Sequence, residues 1–220
     1  AAGKNILPAS ASCFSFADHV TAIDRRFCRL TGSDLPNSSV LDDFLSNDFI
    51  PSFKKIVDWS KNAARAAGFS IEETLRAGER TLSPSDFGFH NCLRRKNGEL
   101  AFLDFEYFGW DDPAKMMSDY LQHPGMDPPG EMKRGFFNSL IGHFPDCRNL
   151  EKRIEIVYPL VGLTWCMILL NEFVPVDLMR RGFARADQPD RTKLQAEQLA
   201  KAKRMLQKTM RDYDKFPYRT

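Results

Sequence analysis

The sequence predicts a mostly α-helical domain with one small β-hairpin, an α+β arrangement. Apolar residues recur at helical spacing over most of the chain, which indicates amphipathic helices. A single Asn-Gly pair, Asn97-Gly98, lies between two short apolar runs and predicts a tight hairpin. With 220 residues, 43% of them hydrophobic, the chain is long enough to bury a core. We therefore expect one helical domain over residues 1–220.

The first predicted helix runs from Ser15 to Leu30, because Val20, Ile23 and Phe27 recur at helical spacing and Ser15 suits the N-cap. A second helical stretch over 41–67 is predicted to break near the proline at position 51. The remaining predictions are a turn-rich link at 34–39, a short strand at 80–83, helices at 113–122, 130–144, 150–173 and 191–216, and a mixed segment at 174–190.

The helix predicted at 150–173 is the most apolar part of the chain. Its core, from Ile156 to Leu170, contains Pro159 and is shorter than the roughly 20 residues that a bilayer span requires. We therefore expect a buried core helix and no membrane partner.

The charge and cysteine content narrow the function classes. A net charge of +2 gives no reason to expect a nucleic-acid partner. The five cysteines are scattered without any Cys-x-x-Cys pair, which favours a reducing compartment over a disulfide framework or a zinc site. Because the N-terminal residues also lack the apolar core of a signal peptide, the expected location is cytoplasmic.

Two short motifs point to phosphoryl transfer. Asp86 and Asn91 form an Asp-x-x-x-x-Asn element, and Asp104 follows an apolar run as the first residue of an Asp-Phe pair. Kinase-type enzymes use an Asp to accept the proton of the attacking hydroxyl, and an Asn and a second Asp to hold magnesium against the nucleotide phosphates. Asp86 lies in the loop before the hairpin, and Gly88 would give that loop the freedom to turn back over the metal.

The predicted hairpin connects the two motifs. A two-residue type I′ turn at Asn97-Gly98 would place Asn91 directly opposite Asp104. Directly opposed residues have Cβ atoms roughly 4.5–5.5 Å apart on one face of the hairpin. Two oxygen ligands at that separation can share a hard cation such as Mg²⁺.

These motifs resemble those of the aminoglycoside phosphotransferase and choline kinase family, whose fold is protein-kinase-like. The family pattern is His-Gly-Asp-x-x-x-x-Asn, then Ile-Asp-Phe/Trp-Glu/Asp, then Gly-x-x-Asp-Pro, and residues 84–113 are similar to it. The resemblance implies a C-terminal kinase lobe that binds ATP and Mg²⁺ and phosphorylates a hydroxyl of a small polar metabolite. It implies Asp86 as the catalytic base, Asn91 and Asp104 as magnesium ligands, and Glu106 near the metal or substrate.

The chain departs from this pattern in two places. Pro84-Ser85 stands where the family has His-Gly, whose His braces the loop. No Gly-x-Gly-x-x-Gly or Walker motif is present, and the residues before Asp86 are predicted to be helical, so the nucleotide lobe is expected to be absent from this chain.

Other polar residues receive structural interpretations. His90 is predicted to lie on the strand beside Asn91 with its side chain on the opposite face, as a core or surface histidine. His19, His123 and His143 are far apart in the sequence and show no ligand spacing.

Two alternatives to a kinase stay open. A pseudokinase-like binding module would keep the fold without turnover. A metal-dependent hydrolase would need further acidic or His ligands near the same carboxylates.

A pocket for a sugar or an ammonium group could be formed by residue types such as Trp165, Asn171 and Glu172, although core packing is the favoured role for Trp165.

Overall fold

The computed structural model of the protein describes residues 6–32, 38–174 and 190–219. These residues are mostly helical with a few short antiparallel strands, which confirms the predicted α+β class. Residues 34–37 of the predicted link and 175–189 of the predicted mixed segment lie outside the described residues. The helices are α1 (Phe16–Leu30), α2 (Ser39–Phe44), α3 (Ile50–Ala66), α4 (Pro113–Gln122), α5 (Gly130–Ile141), α6 (Leu150–Leu169) and α7 (Arg191–Asp212), and the strands are β1 (Thr81–Ser83), β2 (Cys92–Arg94), β3 (Leu100–Phe102) and β4 (Gly109–Asp111).

Helix α6 is the centre of the fold. It packs against α1, α3, α4 and α7, and residues such as Ile156, Leu163 and Met167 are completely buried. A helix that is apolar on all sides must be covered on all sides, which explains this central position. With its 3₁₀ extension Leu170–Phe173, α6 is long and apolar enough to cross a membrane, but most of it is buried inside the protein.

The N-terminal helix forms as predicted. Ser15 is the N-cap of α1 and accepts a hydrogen bond from the Asp18 backbone N–H, while the Asp18 carboxylate accepts one from the Ser15 N–H. This reciprocal capping box satisfies backbone donors that a helix start leaves unpaired. Ile23 and Leu30 point from α1 into the core.

The second helical stretch does not break at Pro51. A π-helical turn, Leu45–Phe49, joins α2 to α3, and Pro51 lies in the first turn of α3. Pro51 lacks the N–H that would bond back to the preceding turn, and the π-helical turn directly before it, where the hydrogen-bond pattern changes, accommodates this loss. The remaining predicted helices are present with C-terminal ends up to four residues earlier than expected.

The strands form two separate two-stranded ladders. β1 confirms the strand predicted at 80–83 and pairs antiparallel with β4, which the sequence analysis did not predict. Residues Leu7 to Ala9 run alongside Gly109 so closely that a side chain at this position would meet their backbone. The ladder fixes the start of the loop that leads to Asp86.

The hairpin of β2 and β3 is present, but the predicted turn is wrong. Gly98 N–H donates to the Arg95 carbonyl at 2.9 Å, and Arg95 N–H donates to the Glu99 carbonyl at 2.8 Å. Only Gly98, with φ of 90°, is left-handed, so the loop has three residues instead of two. A type I turn followed by a left-handed glycine is the usual three-residue hairpin.

This longer loop shifts the strand register by one residue. Cys92 lies opposite Phe102, and Leu93 lies opposite Ala101. A shift of one residue exchanges the faces on which side chains of the two strands meet. The predicted direct opposition of Asn91 and Asp104 is therefore wrong.

Helix α4 begins as predicted, with Asp112 as N-cap and Pro113 as its first residue. Asp112 Oδ1 accepts a hydrogen bond from the Ala114 N–H at 2.8 Å. Its other oxygen accepts from the Arg153 guanidinium of α6 at 2.5 Å. This buried ion pair joins α4 to α6 and fixes where the far end of α4 lies.

Candidate functional site

The loop between β1 and β2 carries Asp86 in an unusual backbone. Ser85, the residue before it, is left-handed with φ of 65°, a conformation that favours glycine. Ser85 N–H donates to the Ser83 hydroxyl at 3.0 Å, and Asp86 N–H donates to the Pro84 carbonyl at 3.0 Å. These local bonds hold a strained turn that projects Asp86, and strain of this kind is concentrated at functional sites.

Two histidines contact the Asp86 carboxylate. His90 Nε2 lies 3.0 Å from Asp86 Oδ1, and His123 Nε2 lies 3.2 Å from the same oxygen. The two imidazole rings stack on each other with centroids 4.2 Å apart and planes 18° apart. The described structure thus has a compact Asp-His-His group at the end of α4.

The histidines keep Asp86 ionised. The hydrogen bond from His123 lowers the pKa of Asp86 to about 2, with a further hydrogen bond from His90, while partial burial acts in the opposite direction. Donors to the charged form of a carboxyl favour that form. Asp86 is therefore a carboxylate at neutral pH, and its side chain is 36% exposed.

Neither histidine was predicted from the sequence to be a site residue. His90 does not lie on a strand, because Phe89–Asn91 is a 3₁₀ turn, and that turn brings the ring back to Asp86 four residues earlier. His123 directly follows α4, 37 positions after Asp86. The spacing Asp86 to His90 was the one local signal; nothing in the sequence indicated His123.

Gly88 has a different role from the predicted one. Its φ of 169° is extended backbone that any residue adopts, so conformational freedom is not what the position requires. A Cβ at this position would lie 2.1 Å from Met126 Sδ and 2.8 Å from His90 Nδ1. The missing side chain lets the loop pack closely against the segment after α4.

Asn91 is hydrogen-bonded to Asp86, whereas Asp104 and Glu106 form no hydrogen bond or ion pair with Asp86 in the described part of the chain. Asn91 Nδ2 donates to the Asp86 backbone carbonyl at 3.0 Å, which leaves its side-chain carbonyl oxygen as an acceptor. Leu103 N–H donates to the Asn91 carbonyl at 2.9 Å, so Asn91 is level with Leu103. Asp104 is exposed and left-handed, with φ of 62°. The magnesium-ligand roles of Asn91 and Asp104 and the role of Glu106 remain predictions.

The Asp-His-His group could hold a metal ion by its composition. One ligand atom each from Asp86, His90 and His123 lie within 4.8 Å of one another. Two imidazoles with one carboxylate suit Zn²⁺ or Fe²⁺, whereas Mg²⁺ prefers oxygen ligands alone. This group is thus distinct in chemistry from the predicted magnesium site.

Trp165 of α6 closes the group from behind. Its ring meets the His123 ring edge-on, with centroids 4.5 Å apart and planes 70° apart. Trp165 also packs against the apolar core, as favoured from the sequence, and its buried Nε1 has no hydrogen-bond partner within the described structure.

Comparison with known proteins gives no independent assignment. No protein-family model matches the chain, and none of the curated proteins matches it. The kinase resemblance therefore rests on the motifs of residues 84–113.

Proposed function

We propose that this chain is the catalytic lobe of an ATP-dependent phosphotransferase that acts on a hydroxyl of a small polar metabolite. The observation that carries the proposal is Asp86: an ionised, partly exposed carboxylate on a strained turn, with Asn91 attached to its backbone. A base in phosphoryl transfer mainly orients the attacking hydroxyl, so a carboxylate with a low pKa suffices.

The left-handed Ser85 supports the family resemblance. The related kinases have glycine at this position of the motif, and glycine adopts a positive φ without steric cost. Ser85 has a φ of 65°, the left-handed conformation that glycine adopts most easily, which supports the resemblance although the residue differs. The histidine that the family pattern places before that glycine is Pro84 here, and His90 and His123 brace Asp86 in its place.

The remaining predicted residues fit magnesium chemically. Asn91 has a free side-chain carbonyl oxygen, and Asp104 and Glu106 are exposed carboxylates without a partner in the described structure. Oxygen ligands of this kind are those that Mg²⁺ takes. In the proposed reaction ATP supplies the γ-phosphoryl group. Asp86 accepts the proton of the acceptor hydroxyl as its oxygen bonds to phosphorus, the bond to the ADP oxygen breaks, and the proton passes to solvent.

The surface around the hairpin supports a further covering domain. Large apolar side chains on and beside β2 and β3 are exposed, which is typical of surfaces that another protein unit covers. A nucleotide lobe packed on this face would cover Asp104 and complete the ATP site. The exposed side chains are Phe89, Leu93, Leu100, Leu103, Phe105 and Phe108.

The experiment is an acceptor screen with the full-length gene product. ATP consumption is followed with amino alcohols, sugars and aminoglycosides in the wild type, in Asp86→Asn, and in Asp43→Asn as an exposed control on α2. We expect acceptor-dependent ATP consumption that Asp86→Asn reduces by about 10²–10⁴-fold and that the control retains. Full turnover in Asp86→Asn would refute the assignment. Nucleotide binding without any turnover would instead identify a pseudokinase-like module.

A metal-dependent hydrolase is the second candidate, because the ligands that it requires are present. His90 and His123 lie beside Asp86. Hydrolysis of an ester substrate that depends on added Zn²⁺, and that is lost in His90→Ala, would favour it over the kinase.

A further inference from the structure

We infer that His123 is a positioning residue for Asp86: its ring, fixed as the Nε2–H tautomer, holds Asp86 Oδ1 and leaves Oδ2 for the acceptor hydroxyl. This inference rests on the proposed phosphotransferase function for its catalytic meaning. The arrangement of the ring, the carboxylate and the backbone around them carries the structural part independently.

The tautomer follows from the hydrogen bonds of the ring. Gly125 backbone N–H donates to His123 Nδ1 at 3.0 Å. A backbone N–H can only donate, so Nδ1 must offer a lone pair and carries no proton. In a neutral imidazole the proton is then on Nε2, which lies 3.2 Å from Asp86 Oδ1. His123 therefore donates to the carboxylate.

The ring is also held in place by its neighbours. His90 stacks on one side with centroids 4.2 Å apart, and Trp165 meets the ring edge-on at 4.5 Å. Gln122, the last residue of α4, is buried and donates to the Tyr158 carbonyl at 3.2 Å. The side chain of His123 is only 9% exposed. The direction of Nε2 is thus set by packing as well as by the Gly125 hydrogen bond.

The hydrogen bonds distinguish the two carboxylate oxygens of Asp86. His90 and His123 both contact Oδ1, and Oδ2 has no hydrogen-bond partner among the described residues. A carboxylate with one oxygen anchored keeps a defined orientation while the other oxygen remains available. Holding a reacting group in the geometry that the reaction requires raises the rate by orders of magnitude.

The same tautomer opposes metal binding by this group. A metal on His123 Nε2 would require a lone pair on that nitrogen and a proton on Nδ1, because ligating histidines donate their other ring N–H to an acceptor. Nδ1 here faces a donor, the Gly125 N–H. The structure therefore favours a hydrogen-bonded network over the metal centre that the residue types alone would allow.

The test measures the network without relying on activity. ¹⁵N NMR of the imidazoles should show His123 with a protonated Nε2 and an unprotonated Nδ1. ¹³C NMR of the Asp86 carboxyl should give a pKa near 2 in the wild type and a value shifted toward the ordinary 3.8 in His123→Ala. His123→Gln, whose amide nitrogen can donate from a similar place, should restore much of the low value.

The control is His143→Ala, which removes an exposed histidine that has no hydrogen bond or ring stacking with Asp86, His90 or His123. Its Asp86 pKa should equal that of the wild type. An Asp86 pKa that does not change in His123→Ala, or a proton on Nδ1 in the wild type, overturns the inference. So does stoichiometric binding of added Zn²⁺ that shifts both the His90 and His123 nitrogens.

Activity measurements distinguish a failure of the positioning role of His123 from a failure of the proposed phosphotransferase function. In the full-length protein His123→Ala should lower kcat by about 100-fold with the KM for ATP unchanged, and His123→Gln should recover part of the loss. If Asp86→Asn shows full turnover, the proposed function fails while the NMR result still decides the network. If Asp86→Asn is inactive and His123→Ala retains full turnover, the positioning role alone is refuted.

Discussion

An aspartate contacts a basic side chain at each end of α4, but one contact is buried and the other is partly exposed to solvent. At the N-terminal end, the side chains of Asp112 and Arg153 are 0% and 5% exposed. At the C-terminal end, His123 contacts Asp86, whose side chain is 36% exposed. The first pair is sealed in the core, and the second opens to solvent.

The two aspartates, Asp112 and Asp86, also differ in how many of their carboxylate oxygens accept hydrogen bonds. Both oxygens of Asp112 accept hydrogen bonds, one from Ala114 N–H and the other from Arg153. Among the residues that the structure describes, Asp86 has donors on one oxygen only. A buried charge must have all its partners within the protein because it has lost water, whereas a partly exposed charge can keep an oxygen for a ligand. We infer stability as the role of the first end and chemistry as the role of the second.

Arg153→Leu should have the largest effect on stability. It leaves the buried Asp112 carboxylate without its cation, which typically costs about 3–5 kcal/mol in the free energy of unfolding. Urea unfolding measures this loss. Arg148→Leu is the matched control, because Arg148 forms an exposed ion pair with Glu73 at 2.9 Å and should cost at most about 1 kcal/mol. Equal losses in the two variants would contradict the distinction between the buried and exposed pairs.

Gly88→Ala should have an intermediate effect at the open end. The new methyl group would overlap Met126 Sδ, so the loop or Met126 must move, at a cost of about 1–3 kcal/mol. The NMR signals of His90 should move as well. The cost should shrink in a Met126→Ala background, since the overlap with Met126 is then removed and only the close approach to His90 Nδ1 remains. Gly135→Ala on α5, where a methyl group meets nothing within 4 Å, is the control and should not destabilise.

Asp86→Asn should lower the free energy of unfolding at neutral pH by about 1 kcal/mol, less than Arg153→Leu does, because its side chain is 36% exposed and solvent screens its contacts with the histidines. Urea unfolding of this variant beside Arg153→Leu places the two ends of α4 on one scale. A loss as large as that of Arg153→Leu would show that Asp86 is a structural acid like Asp112.

The smallest expected effect is the pH dependence of the stability difference between wild type and Asp86→Asn. Asp86 has a pKa of about 2 in the folded protein and an ordinary value of 3.8, so the unfolded chain binds the proton first as pH falls. Its contribution to stability is therefore complete above about pH 4 and is lost as the pH falls toward about 2. The stability difference between wild type and Asp86→Asn should shrink over this range. A difference that is constant down to pH 2 would mean that the histidines do not hold the carboxylate.

The features that were predicted correctly are those stabilised by contacts between residues close together in the sequence. Ser15 and Asp112 cap helices, and Pro113 begins one, at the positions predicted from the residue types alone. A cap depends on a side chain reaching an N–H two or three residues ahead, so it can be recognised without knowledge of the fold. Asp86 and Asn91 were likewise identified by spacing within one loop.

The hairpin shows where local reasoning reaches its limit. Asn97-Gly98 permits a two-residue turn with both residues left-handed, or a three-residue loop with only Gly98 left-handed. The two alternatives use the same residues, and the protein adopts the second. That choice moved Asn91 opposite Leu103 instead of Asp104.

The sequence by itself determined the helical class, the helix starts and the loop that presents Asp86. Only the tertiary structure decided that His123 reaches Asp86, because the two are 37 residues apart and meet through the position of α4. That position depends on the buried Asp112–Arg153 pair and on Gly88 packing against Met126. Contacts of this kind depend on how whole elements pack together, and no periodicity or spacing in the chain encodes them directly.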